Sequence, residues 1–135
     1  MSKPLLFSII ESPTHPDFSR LYRRLGIEAS VHESTRKAIN ALKKESPDLV
    51  VAEFFYGYGN NYAGVNVSNL DVFLYSLQKY APQARIIVMV DKQEREFVDK
   101  LSALFPLQEI LLQPVREAQM ELALKKALQI EGDVS

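Results

Sequence analysis

The chain has no cysteine and no tryptophan, and only five of its 135 residues are glycine. Without cysteine there is no disulfide and no thiolate metal centre, so nothing ties the chain to an oxidising compartment. Neither sign of charge prevails: 16 Lys and Arg stand against 17 Asp and Glu, a net charge of −1. Such a balance lacks the positive excess that drives association with nucleic acid. Long hydrophobic runs are missing as well. The longest uncharged stretch, residues 54–70, is broken up by Gly, Asn and Tyr and is unsuited to crossing a bilayer. The start, Met1-Ser2-Lys3-Pro4, precedes only a short apolar run and no small-residue cleavage site, unlike a secretory leader. The expectation is a cytoplasmic chain with neither a membrane nor a nucleic-acid partner.

What is present is an ordinary globular balance, with 47% apolar and 24% charged residues, enough for a core without staples. Residues 1–135 read as a single domain in which the polar residues 131–135 form a frayed tail. Five strand-length apolar runs recur: Leu5–Ile10, Ile27–Val31, Leu49–Phe54, Arg85–Val90 and Gln108–Leu112. The first, third and fourth are almost unbroken, as in strands covered on both faces. Segments of helical period separate and follow them: Pro16–Leu25, Thr35–Glu45, Leu70–Tyr80, Lys92–Phe105 and Val115–Ile130. Thr14 is placed to cap the first and Ser34 the second. Gly26 sits where a left-handed C-terminal residue is wanted, and Pro47, Pro82 and Pro106 close the next three.

Strand and helix thus alternate five times, which implies an α/β fold with a parallel sheet and right-handed crossovers. Five units are too few for an eight-stranded barrel. The best fit is a flavodoxin-like, doubly wound, five-stranded parallel sheet of order 2-1-3-4-5 in three layers, α/β/α. Chemistry in such a sheet belongs at the carboxyl ends of strands 1 and 3, where the winding reverses.

Specific residues then carry a resemblance. The stretch from Ala38 to Glu53, with Pro47-Asp48-Leu49-Val50-Val51 inside it, resembles the second helix and third strand of two-component response-regulator receiver domains. Ala84–Val90 is similar to that family's fourth strand. Leu111-Leu112-Gln113-Pro114, followed by an acidic, Leu-rich helix, is similar to its fifth strand, Lys-Pro dipeptide and last helix. The resemblance implies a receiver fold, a phosphoacceptor aspartate ending strand 3, and an acidic pair after strand 1 that holds Mg²⁺. It also implies a hydroxyl after strand 4, a Lys after strand 5, and a cis peptide before Pro114.

The chain departs from that pattern at every chemical position. Glu11-Ser12 stands for the acidic pair, Glu53 for the phosphoacceptor, Val90 for the hydroxyl and Gln113 for the lysine. A Glu also extends the carboxylate by one carbon, which near-attack geometry tolerates poorly. The expectation is a degenerate receiver, a pseudo-receiver with no enzymatic activity, no resident cofactor and no metal. Glu53 reads either as a fixed mimic of the phosphorylated state or as a partly exposed carboxylate tolerated at a strand end, with Gln113 as its expected neighbour. Glu11, Glu53 and Asp91 read as solvated rim charges rather than oxygen ligands for Mg²⁺ or Ca²⁺. His15 and His32 have no partner at triad or metal spacing.

Residues 54–69 are the unusual part. They hold five aromatics (Phe54, Phe55, Tyr56, Tyr58, Tyr62), three of the five glycines and four asparagines. Two readings stand side by side: a protein-binding loop, or Phe54 and Phe55 finishing strand 3 with the tyrosines folded down over the sheet end as a lid. An alternative is a small-molecule or flavin site using the same aromatics, which the short, proline-rich loop after strand 1 does little to support. The wide apolar stripes of the last two helices suit a protein partner or a homodimer through helix 4, strand 5 and helix 5. Arg20, Arg23 and Arg24 on the first helix read as a solvated face.

Overall fold

The computed structural model describes residues 3–10, 17–56 and 68–128. Five strands, β1 (Leu5–Ile9), β2 (Glu28–His32), β3 (Leu49–Glu53), β4 (Arg85–Val90) and β5 (Glu109–Leu112), form one sheet of order β2-β1-β3-β4-β5. All four pairings are parallel. The helices are α1 (Ser19–Arg24), α2 (Thr35–Leu42), α3 (Asp71–Tyr80), α4 (Arg95–Ser102) and α5 (Glu117–Leu128). This is the doubly wound order expected from the alternation of strand and helix.

Strand alternation sorts the core into two layers. Leu6, Leu49, Val51, Ile87, Met89 and Leu111 pack with α1 and α5. Phe7, Ile9, Val50, Ala52, Ile86, Val88 and Val90 pack with α2, α3 and α4. β3 is buried along its whole length, which is why its sequence reads as a continuous apolar run. Leu49, Val50 and Val51 each contribute about 2 kcal/mol by leaving water. The Pro-Asp pair before β3 has a structural role at the opposite edge. Asp48 Oδ2 accepts from the Leu5 amide (2.8 Å), its own amide donates to the Leu5 carbonyl (2.8 Å), and its carbonyl accepts from the Arg85 amide (3.1 Å). One residue thereby aligns the amino ends of β1, β3 and β4.

Helix ends differ from the periodicity in instructive ways. α1 starts at Ser19, not at Pro16, and the Asp17 carboxylate accepts from the Ser19 amide (2.9 Å) and hydroxyl. Thr14, the expected cap, lies outside the described residues. Ser34 does cap α2, accepting from the Lys37 amide at 3.2 Å. β2 begins one residue later than expected because Ile27 closes the end of α1. Its amide donates to the Tyr22 carbonyl (2.8 Å) and the Gly26 amide to the Arg23 carbonyl (3.1 Å), the paired bonds of a Schellman motif. The region expected as one helix from Lys92 to Phe105 is a 3₁₀ turn, Lys92–Glu94, leading into the shorter α4. Arg24 is not merely solvated: it bonds Glu117 (2.9 Å) and Glu121 (3.1 Å) across to α5. No helix among the described residues is long and apolar enough to cross a membrane.

Gly26 has φ +75°, and a Cβ built there meets nothing within 4 Å. Steric room is therefore not the constraint, and only the left-handed backbone is. Gly26→Ala is expected to cost about 1 kcal/mol in urea denaturation, with Gly26→Asn costing less. Equal stability of all three proteins would contradict this reading.

Candidate functional site

The sheet's winding reverses between β1 and β3, so the carboxyl ends of those strands frame the site. Glu53 is the last residue of β3, paired in register with Met89 of β4. Its alternation with Leu49 and Val51 turns it toward the α1–α5 side. It is only 1% exposed. This corrects the expectation of a partly exposed or solvated rim carboxylate for Glu53; Asp91 is exposed, and Glu11 lies outside the described residues. The backbone stays on the sheet beyond Glu53, since the Phe54 amide continues the ladder to the Met89 carbonyl of β4.

Asn69 holds that segment in place. Its side-chain NH₂ donates to the Glu53 carbonyl (2.9 Å), and its side-chain oxygen accepts from the Phe55 amide (2.7 Å). Its own amide donates to the Phe55 carbonyl (3.1 Å), while the Phe54 amide donates to the Met89 carbonyl (2.8 Å). An isolated antiparallel bridge between Tyr56 and Ser68 closes the base of the connection. Ser68, three residues before α3 begins, is tied to Asp71, the first residue of that helix. The Asp71 carboxylate accepts from the Ser68 amide (2.7 Å) and hydroxyl (2.9 Å), and Ser68 Oγ accepts from the Leu70 amide (3.1 Å). Asn69, Ser68 and Asp71 were not singled out as site residues from the sequence. The Ser-x-x-Asp spacing ahead of an apolar helix was the available signal.

Of the five loop aromatics, Phe54 is 1% exposed and belongs to the core beside α3 and α4, which removes it from any contact surface. Phe55 is half-buried. Tyr56 is exposed but anchored. Its amide donates to Glu94 Oε1 (3.3 Å), and its ring stacks on Phe97 with centroids 3.8 Å apart and planes 15° from parallel. The Lys100 ammonium lies 5.6 Å from the Tyr56 centroid and 5.7 Å from that of Phe97. Tyr58 and Tyr62, like Glu11, Ser12 and His15, lie outside the described residues.

Val90 is fully buried on the α3–α4 side and presents no hydroxyl. Gln113 is half-buried, and its amide donates to the Val90 carbonyl at 2.9 Å. The Gln113–Pro114 peptide is cis. Glu53 and Gln113 turn to the same side by alternation, with β4 between their strands. Register sets their backbones about 10 Å apart across the sheet and about 7 Å apart along it. Their side chains can meet only by reaching toward each other over Met89.

His32 ends the edge strand β2. Its ring lies against Phe7 (centroids 4.7 Å), and Nε2 is 3.1 Å from Ser30 Oγ. Partial burial lowers its pKa, with Glu45 opposing the shift. On the other face of the sheet, burial pushes the Tyr22 phenol well above its ordinary range, and the nearby Ser8 hydroxyl offsets part of this. Tyr22 Oη has no hydrogen bond of ordinary geometry among the described residues. No group of three His, Asp or Glu among the described residues is arranged to hold a metal ion. A groove of about 260 Å³, lined by Pro47, Asp48, Tyr80 and Pro82 among others, lies at the amino ends of the strands, away from Glu53.

No protein-family model matches the chain, and no curated protein matches it. Solved structures do. A response regulator receiver domain protein from Clostridium thermocellum superposes with a TM-score of 0.69 at 16% identity, covering 98% of this chain and 99% of that one. A response regulator receiver protein from Sinorhizobium medicae WSM419 gives 0.68 at 21% identity, with 95% of each chain covered. An adenylate cyclase from Rhodopirellula baltica gives 0.67 at 13% identity, covering 96% and 89%. These likenesses establish the receiver fold.

Asn69→Ala removes two side-chain bonds to the backbone around Glu53 and is expected to cost about 2 kcal/mol in urea denaturation. A loss below about 0.5 kcal/mol would show that the segment is held by other means. For His32, the folded pKa is depressed, so the unfolded chain binds the proton more readily. The stability it contributes is full above the unfolded pKa, near 6.5, and is lost as pH falls through the lower folded pKa. NMR titration should place its midpoint below that value, and His32→Gln should flatten this part of the stability–pH curve. A midpoint above it would contradict the burial argument.

Proposed function

We propose that this chain is a receiver-like protein–protein interaction module in signal transduction, one that is not switched by aspartyl phosphorylation and performs no catalysis. The observation that carries the reading is Glu53. The position that in the resemblance belongs to an aspartate nucleophile holds a longer carboxylate, almost wholly buried, at the end of a strand whose exit is pinned by Asn69. Around it, Val90 offers no hydroxyl and Gln113 no cation for phosphoryl oxygens. In this reading the fixed carboxylate takes the place of a reversible modification, and the chain acts as a pseudo-receiver through its surfaces. Those surfaces are the Tyr56 segment and the α4–β5–α5 face, where Leu112 and Leu122 are exposed, with a partner protein or a second copy as occupant.

Receiver domains stand among the similar structures, which does not favour the flavin alternative. The name adenylate cyclase is a statement about that protein, and among the described residues of this chain no group of three His, Asp or Glu is arranged to hold a metal ion.

Incubation with acetyl phosphate and Mg²⁺, followed by intact-mass measurement, tests the reading. The expected spectrum is unchanged, for the wild type and for Glu53→Gln alike. A phosphoryl mass increment in the wild type that disappears in Glu53→Gln would overturn the reading.

A further inference from the structure

We propose that β2 carries a symmetric homodimer: its free edge pairs antiparallel with β2 of a second copy about a two-fold axis at Ser30, joining two five-stranded sheets into one. The proposal goes beyond the interaction-module reading and does not depend on it, because β2 lies at the edge of the sheet opposite to β5.

The argument begins with the backbone. The Glu28 amide donates to the Pro4 carbonyl (2.9 Å), and the His32 carbonyl accepts from the Ile10 amide (3.0 Å). Glu28, Ser30 and His32 therefore direct their backbone groups to β1, while Ala29 and Val31 direct theirs away from the sheet. Among the described residues no hydrogen bond reaches Ala29 or Val31 from beyond that edge. The devices that usually blunt an edge strand are missing. β2 holds no Pro and no Lys, and its pairing with β1 runs through all five residues without a bulge. Instead Val31 stands 60% exposed, an apolar side chain left in water on the edge itself. The same face of the sheet carries a groove of about 330 Å³, lined by Tyr22, Arg23, Ile27 and Ala29 among others.

The strand's own sequence selects the occupant. Glu28-Ala29-Ser30-Val31-His32 is complementary to its own reverse. With the two-fold at Ser30, Ala29 lies opposite the partner's Val31 and Val31 opposite the partner's Ala29, so the outward backbone groups close four hydrogen bonds. Each Val31 then packs beside the partner's Ala29, on the wall of the partner's groove. On the other face Glu28 lies opposite the partner's His32. These are non-hydrogen-bonded pairs, whose side chains approach most closely, and a carboxylate meets an imidazole in both of them. Glu28 is exposed and has no ion pair among the described residues. The His32 ring holds Ser30 Oγ through Nε2 (3.1 Å), which leaves Nδ1 without a bond among the described residues. Moving the axis one residue either way sets Glu28 or His32 against Ser30 and loses the match. A second copy read antiparallel about Ser30 thus satisfies the backbone, the apolar pair and the charged pair together.

The test is sedimentation velocity of the full chain from about 10 µM to about 1 mM. The contact is small, so a dissociation constant on the order of 100 µM is expected. Val31→Lys, which sets a charge on the edge, should weaken the dimer roughly tenfold or more. Val31 is exposed, so this variant should keep the parent's amide NMR fingerprint. Leu112→Ser/Leu122→Ser should dimerise as the parent does. The absence of cysteine permits a test of register. The two-fold sets the two Ser30 Cα atoms about 4.5 Å apart, within the span of a disulfide. Ser30→Cys should therefore cross-link to a covalent dimer on oxidation with copper phenanthroline, and Ser30→Cys/Val31→Lys roughly tenfold more slowly. A monomer at every concentration would overturn the proposal. So would a dimer lost in Leu112→Ser/Leu122→Ser but kept in Val31→Lys, or a dimer that Ser30→Cys does not cross-link. The phosphodonor experiment is independent: phosphoryl transfer to Glu53 would fell the module reading while leaving this dimer measurable.

Discussion

The double-sided burial of the sheet is the constraint from which the rest follows. β3 and the apolar length of β4 are enclosed on both faces, so polar chemistry is confined to strand ends. At the amino edge Asp48 joins three strands through backbone bonds. At the carboxyl edge Asn69 does comparable work on one strand, tying Glu53 and Phe55 to the start of α3. A carboxylate placed at this second edge is not automatically in water. Glu53 is 1% exposed, and the backbone that follows it is tied to the start of α3 by Asn69 and by the Tyr56–Ser68 bridge. The same segment then reaches α4, where Tyr56 lies on Phe97. The end of β3 and the face of α4 are thus linked by covalent continuity and ring stacking, without a modification to join them.

Much of the fold was legible because its signals are strong and local. Unbroken apolar runs gave the central strands, prolines bounded the helices, and Gly26 marked a left-handed turn that the structure confirms at φ +75°. Boundaries were less legible. Ile27 reads as strand by its side chain, yet its amide completes the end of α1, a contest that composition alone does not decide. Lys92–Glu94 carries helical period but forms a 3₁₀ turn, closed by the Glu94 amide donating to the Asp91 carbonyl (2.9 Å).

The site was legible in its chemistry and not in its environment. Substitutions at 53, 90 and 113 are plain in the sequence, since residue type decides whether a hydroxyl or a cation is present. The burial of Glu53 was not, because packing around a strand end is set by the fold and not by residue type. Phe54 reads from the sequence both as a loop aromatic and as the end of strand 3; it is core, since the ladder to β4 continues through its amide beyond the end of β3. Aromatic content told where the unusual segment lies, and long-range hydrogen bonding decided which of its rings face inward.

The central claim is that the carboxyl edge of this sheet has no capacity to accept a phosphoryl group. The most direct measurement is an amide NMR spectrum recorded with and without beryllofluoride and Mg²⁺, which together imitate an acyl phosphate at a carboxylate. The account predicts unchanged resonances for Glu53, Val90, Gln113 and the α4 residues. Saturable shifts at those positions, spreading from β3 into α4, would contradict it.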